Sequence, residues 1–368
     1  MPPSNLTVDE RDSAPSAEEF LQQYVEPNKP LIIRGGAKTW PAMKWSAAGL
    51  AEAFGEEIVT VAPLRSSGPH AHLDKWLEAA TLWEHDEPEP DVCDANHLLV
   101  VSAMRVKMRV KKFVRLLRDE SVAAGFYADG AGNLAHSFPF LRDGFSEPQF
   151  AAESPLELKK ADLWMGGKSI SRMHFDNLDN LFAQVVGRKT FVLARPHEGA
   201  KVQGGRRLRK AACRYAHPGE FSREGGGVLH ETVLNYLAVP ERPDSLPTIA
   251  VTLGPGDLLY LPFGWWHEVH SHPDKERGNL SVSISHFYTP FYCRLGGKTC
   301  TTLGPLMRNP RYGDSGADDE AAAKAVLAGE KATTAIATSR RSRRWLALAA
   351  IATAAAVAAA VLVRRRRA

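Results

Sequence analysis

The sequence is short of cysteine. Cys93, Cys213, Cys293 and Cys300 are the four in 368 residues, far apart and without a Cys-x-x-Cys pair. That spacing argues against a disulfide framework and for free thiols in a reducing compartment. The N-terminus, MPPSNLTVDERDSAPSAEEF, is polar and acidic and lacks the apolar stretch of a secretory signal. No internal repeat is visible, which sets repeat architectures aside. An excess of basic charge is also missing from most of the chain. The net charge is +4, but eight arginines (Arg340, Arg341, Arg343, Arg344 and Arg364 to Arg367) crowd the last 29 residues, and without them 38 basic residues face 42 acidic ones. A slightly acidic body gives no support to direct nucleic-acid binding. What is present is an ordinary globular balance, 44% hydrophobic and 24% charged.

The N-terminal part alternates helix and strand signals. SAEEFLQQYV places a Ser three residues before a Glu ahead of an apolar run, the pattern of a capped helix. PLIIRGG and EIVTVAPL read as short strands, and WSAAGLAEAFG as a second helix. MRVKMRVKKFVRLLRDE carries Val106, Val110, Phe113, Val114 and Leu117 on one helical face and basic residues on the other, a solvated outer face. From Leu163 the texture changes to short strands between Gly, Pro, Asn and Asp: LWMGG, FAQVVG, KTFVLARP, TIAVTLGPG, DLLYLPFG, WWHEVHS and LSVSISHFY. Many short strands after a helical lead-in predict a mainly β chain with a double-sheet jelly roll of the cupin type. Gly199 to Glu231 reads as a polar loop interrupting it. The expected divisions are a disordered start at 1–15, an α/β lead-in at 16–160, the jelly-roll core at 161–292 and a polar linker at 293–339.

Three His-x-Asp triplets occur: His72 to Asp74, His174 to Asp176 and His272 to Asp274. With 13 His, roughly one would arise by chance, so surroundings must separate them. The first is expected at a loop-to-helix junction and the last in a charged turn. The middle one stands among β pieces, where side chains at i and i+2 share a face, so His174 and Asp176 project together. A third ligand comes from His267, in GDLLYLPFGWWHEVHS. Two His and one carboxylate make the facial triad of non-haem Fe(II) oxygenases, which leaves coordination positions open for cosubstrate and O₂. The nearby HEVH is one residue short of the i, i+4 spacing of helical zinc proteases and sits in a strand. Trp265 and Trp266 are expected to wall the mouth.

The order Trp164-Met-Gly, His174-Phe-Asp-Asn-Leu-Asp-Asn180, Gly-Arg-Lys189 and Gly256-Asp-Leu-Leu-Tyr-Leu-Pro-Phe-Gly-Trp-Trp-His267 resembles the JmjC family of 2-oxoglutarate-dependent oxygenases, in its small hydroxylase branch. The lead-in EEFLQQYVEPNKPLIIRGGAKTWPAMKWS resembles the same branch, and the likeness covers about residues 16 to 292. It implies that His174, Asp176 and His267 bind Fe(II) and that Lys189 pairs with the distal carboxylate of 2-oxoglutarate. It further implies that Asn180, Ser171 and Tyr127 line the cosubstrate pocket. One position departs from the family: His286, in SISHFY, stands where relatives often carry Asn, and is expected to touch the pocket or the iron. The implied reaction couples Fe(II), 2-oxoglutarate and O₂ to hydroxylation of a protein side chain (Lys, Asn, His or Arg), releasing succinate and CO₂. RNA hydroxylation, lysine demethylation and a catalytically silent binding module are the alternatives.

The C-terminal part adds an apolar run, Trp345 to Val363 (WLALAAIATAAAVAAAVLV), 19 residues without charge. At about 1.5 Å per residue it spans about 28 Å, near a bilayer's apolar thickness. A transmembrane helix at 345–363 with a basic end at 364–368 is expected, a tail anchor that keeps the catalytic barrel in the cytosol.

Overall fold

The computed structural model describes residues 6–66, 72–79, 97–119, 125–129, 134, 138–198, 207–217, 220–233, 235–237, 239 and 242–290. Its centre is a jelly roll of eight strands: β1 (Glu157–Gly166), β2 (Ser169–His174), β3 (Asp179–Val186), β4 (Arg188–Ala194), β5 (Ile249–Leu253), β6 (Leu258–Leu261), β7 (Trp266–His272) and β8 (Ser281–Thr289). They form two facing sheets. One runs β6-β3-β8-β1 and the other β5-β4-β7-β2, all antiparallel.

Strand alternation gives each wall two faces. Along β3, Leu181, Ala183 and Val185 turn outward into a large core with Phe20, Trp40, Leu50, Phe113 and Phe138. Phe182 turns inward to Phe191, Leu193, Leu259 and Trp265. The outward core is where the helical lead-in packs. Helix α1 (Ala17–Phe20) starts at Ser16 with a full capping box to Glu19 and runs on as a wider turn over Leu21–Val25. Helix α2 (Ala47–Phe54) is capped by Ser46, whose hydroxyl accepts from Gly49 N–H.

The first wall extends well beyond the barrel. Asp9–Arg11 and Leu31–Ile33 add to one edge, and Phe126–Asp129, Ile58–Pro63 and Val106–Arg109 to the other, giving nine strands. Asp9–Arg11 therefore corrects the expected disorder of 1–15, because it pairs in parallel with Leu31–Ile33 and is tied down by Arg34 on Glu10. The basic amphipathic stretch is also corrected. Val106–Arg109 alternates out and in as a strand, and helix α3 (Val110–Arg118) begins only after it.

A third, four-stranded sheet was not foreseen. It runs Glu220–Val233, Arg207–His217, His97–Ala103, Trp76–Ala79. Two expectations fall with it: the polar loop at 199–231 contains two long paired strands, and the helix expected after His72 is the strand Trp76–Ala79. Trp76, Leu99, Val101, Ala211 and Cys213 close its small core. Among the described residues no helix is long and apolar enough to cross a membrane. The run 345–363, the linker at 293–339 and the basic end lie outside the described residues.

Candidate metal centre

His174 and His267 face each other across the pairing of β2 with β7, as register partners. β2 ends at His174, and Asp176 follows in a turn whose carbonyl accepts from Gly264 N–H at 2.9 Å. Gly264 has φ +77°, a left-handed bend that turns the chain from β6 into β7 and is open to glycine. Between His174 and Asp176, Phe175 points the other way, edge-on to Trp266 with ring centres 4.8 Å apart.

The three side chains converge. His174 Nε2 lies 3.9 Å from Asp176 Oδ1, His267 Nε2 lies 3.7 Å from Asp176 Oδ2, and the ligand atoms all fall within 4.8 Å of one another. Both imidazoles are oriented by the same device. His174 Nδ1 is 2.6 Å from Arg172 O and His267 Nδ1 is 2.9 Å from Trp265 O, so each Nδ1–H donates to the carbonyl two residues back. That fixes the tautomer and leaves a lone pair on each Nε2. Burial lowers the pKa of both rings, that of His267 to about 4, so both are neutral at physiological pH. Two neutral imidazoles and one carboxylate are the donor set of a facial-triad Fe(II) site.

Lys189 lies on the inner face of β4 and is 2% exposed. Its Nζ donates to Tyr127 Oη at 2.8 Å and sits over the Phe182 ring. Burial brings its pKa down to about 7. Tyr127 reaches this point from Phe126–Asp129, beside β1, where Gly166 leaves room: a Cβ there would come 2.6 Å from the Tyr127 ring. Asn180 is buried on the inward face of β3, and its Oδ1 has no hydrogen-bond partner. A buried ammonium and an unsatisfied amide oxygen on the inner walls of the barrel fit a small anionic ligand that brings its own donors and acceptors.

Four expectations change. Ser171 does border the site, but its hydroxyl donates to the carboxylate of Asp74. Asp74 belongs to the first His-x-Asp triplet, and that triplet is therefore nearer the site than its surroundings suggested. His72 itself faces away, with Nδ1 accepting from Gly125 N–H at 3.1 Å. His286 is not in the pocket. It pairs opposite Leu181 and shares that residue's outward face, between Trp40 and Phe145 at 5.9 Å each. Trp265 and Trp266 are buried, with indole N–H groups on the carbonyls of Asn28 and Pro196, and so pack the barrel instead of walling its mouth.

Two residues beside the triad went unnoticed in the sequence. Tyr236 stacks on His174, and Lys75 holds the Tyr236 hydroxyl. No local motif marks either of them, because both arrive from the sheet that the sequence did not reveal.

Residues 16–293 match the family model described as a cupin-like domain. Curated relatives include Jumonji C domain-containing protein 5 of Drosophila melanogaster, 25% identical over 76% of this chain and 60% of its own length. Lysine-specific demethylase JMJ32 of Arabidopsis thaliana is 23% identical over 76% of this chain and 81% of its own. The human bifunctional peptidase and (3S)-lysyl hydroxylase JMJD7 is 23% identical over 76% and 84%. The chain thus spans less than two thirds of the Drosophila protein. With the triad, the jelly roll and the family match in agreement, the chain belongs to the cupin-like JmjC domain family, whose oxygenases use Fe(II), 2-oxoglutarate and O₂.

Proposed function

We propose that the protein is an Fe(II)- and 2-oxoglutarate-dependent dioxygenase that hydroxylates a protein side chain. The observation that carries this reading is Lys189. A lysine buried to 2% exposure, hydrogen-bonded to a tyrosine hydroxyl and with the Asp74 carboxylate only partly offsetting its burial, is stabilised further by an anion that joins it.

The residues divide the work. His174, Asp176 and His267 would hold the metal, and the inner-face Lys189 and Tyr127 would bind the distal carboxylate of 2-oxoglutarate by charge-assisted hydrogen bonds. Asn180, with its unsatisfied oxygen, would set the cosubstrate's orientation. When bound, Fe(II) with 2-oxoglutarate and O₂ supplies the oxidation of a C–H bond, which no amino-acid side chain can perform. The inward apolar ring of Phe182, Phe191, Leu193 and Leu259 keeps water from the inner end of the pocket. Lysine is the side chain named for two of the relatives above, a lysyl hydroxylase and a lysine-specific demethylase, and it heads the candidates Lys, Asn, His and Arg.

Membrane attachment through residues 345–363 is part of the proposal, on the sequence of that run, with the barrel on the cytosolic side. The test of the reaction is succinate release from 2-oxoglutarate over a panel of Lys, Asn, His and Arg peptides, with mass spectrometry for an added oxygen. Stoichiometric iron with no turnover over a broad panel would refute the hydroxylase reading. The test of attachment is alkaline carbonate extraction of the full chain against a truncation after Ser339. Equal extraction of both forms would refute it.

A further inference from the structure

The two imidazoles of the triad are held by unequal means. His267 lies within β7, paired on one side with β2 and on the other with β4, and is 4% exposed. His174 is the last residue of β2, past an irregularity in the pairing between Ser171 and His174. Its free edge is covered by a short segment, Asn235 to Leu237. Leu237 N–H donates to Met173 O at 3.2 Å, Phe175 N–H donates to Asn235 O at 3.1 Å, and Asn235 Nδ2 donates to Phe175 O at 2.8 Å. Residues 174 and 236 thus form an antiparallel bridge. On it, the Tyr236 ring lies nearly parallel to the His174 imidazole, with centres 5.2 Å apart and planes 12° apart. Lys75 Nζ donates to Tyr236 Oη at 2.6 Å and holds that ring from its far end.

Both parts of this clamp come from the four-stranded sheet. Lys75 immediately precedes one edge strand, Trp76–Ala79, and Tyr236 follows the other edge strand, Glu220–Val233, by three residues. We propose that Tyr236, fixed by Lys75, is a positioning residue for the iron ligand His174, and that the four-stranded sheet is the element that delivers it. The physical reason is rotational. The Nδ1 bond to Arg172 O pins one edge of the imidazole, and the stacked ring removes the remaining tilt, so that Nε2 is aimed at the point shared with His267 and Asp176. His267 instead sits in a strand paired on both sides, with its Nδ1 on Trp265 O and the Phe191 ring 6.4 Å away.

The inference rests on the reading of the triad as an iron site, and one experiment separates the two. The full-length protein in detergent is titrated with Co(II), a redox-stable probe for the site, by calorimetry and by its visible absorption, and the thermal unfolding of each metal-free variant is recorded alongside. Tyr236→Leu is expected to weaken Co(II) binding by about 10-fold or more, since loss of an outer-shell partner of a metal-bound His costs about 10 to 100-fold. Its Co(II) spectrum is expected to change shape, while the metal-free protein unfolds cooperatively. Tyr236→Phe keeps the stack but loses the hold of Lys75, and is expected to weaken Co(II) binding by about threefold, short of the Tyr236→Leu loss. Asn235→Ala loosens the backbone clamp and is expected to fall between the two. Wild-type affinity and spectrum in Tyr236→Leu would overturn the proposal. If that variant does not fold, wild-type affinity in Asn235→Ala overturns it instead. A wild-type protein that takes up no Co(II) would overturn the iron reading and the clamp together.

Discussion

The jelly roll and the four-stranded sheet are built on different terms. In the barrel the strands run four to ten residues, rich in apolar side chains and set off by turn residues. Two of its ligands, His174 and Asp176, stand two apart, and the third, His267, is marked by the Pro-Phe-Gly turn before it. The four-stranded sheet joins segments from residue 76 to residue 233, and its central pairing is parallel, Arg207–Cys213 alongside His97–Ala103. The barrel pairs residues as distant, Glu157 with Thr289, so the difference lies in composition: RLRKAACRYAH and EFSREGGGVLHETV are rich in charge and glycine and do not read as strands. The barrel therefore declares its chemistry in sequence, whereas the sheet contributes to the same site, through Lys75 and Tyr236, without a motif.

The largest expected effect breaks the barrel side of this contrast. His174→Ala, Asp176→Ala or His267→Ala should each abolish metal uptake, measured as bound Fe(II) per chain. His72→Ala and His272→Ala should leave it intact, since His72 turns to Gly125 and His272 to Thr190. Equal loss in those two variants would mean that triplets other than the central one hold the ion.

Next comes the cosubstrate. Lys189→Ala should raise the Michaelis constant for 2-oxoglutarate strongly, because removing one partner of a buried charge pair costs about 3 to 5 kcal/mol. Metal binding should persist. An unchanged constant would remove Lys189 from the pocket.

The same lysine sets a pH dependence. Its folded pKa is lowered to about 7 from a free value near 10.4, so between those limits the unfolded chain binds more protons than the folded one. Stability of the ligand-free protein should then gain from rising pH across that window, and Lys189→Met should flatten the gain, as chemical denaturation at pH 7 and pH 9 would show. Conversely, 2-oxoglutarate affinity should fall as pH rises above about 7, because the carboxylate needs the protonated amine. A wild-type pH profile in Lys189→Met would contradict both statements.

How much of this was legible follows from the same physics. The capped first helix, seven of the eight barrel strands and the His174–Asp176 pair rest on local signals, a capping box, apolar runs between turn residues and short spacing, and the structure carries them. His286 was misplaced for a reason of parity: in an antiparallel wall its neighbours Ser285 and Phe287 face inward, so His286 must face Trp40 and Phe145. A register count along SVSISHFYT would have shown it. The stretch from Val106 was read as helix because its apolar residues fit both periods, and pairing with Ile58–Pro63 decided in favour of a strand for its first four residues. Asp74 was set aside with its triplet, although its backbone follows β2 and its carboxylate takes the Ser171 hydroxyl.

The smallest expected effect sharpens that parity argument. His286→Leu should leave Fe(II) and 2-oxoglutarate affinity within about twofold, and should alter only unfolding, since a neutral buried ring with an unsatisfied Nδ1 is exchanged for an apolar side chain. A marked change in iron affinity would place His286 in the pocket after all.

The central claim is that the barrel holds iron through His174, Asp176 and His267 and 2-oxoglutarate against Lys189. Its most direct test is an anaerobic titration of the Fe(II)-loaded full-length protein with 2-oxoglutarate, followed by the visible charge-transfer absorption of the chelate. The account predicts one iron per chain and a saturable band that requires far more 2-oxoglutarate in Lys189→Ala. A protein that binds no iron, or a band that saturates identically with and without the Lys189 amine, would contradict it.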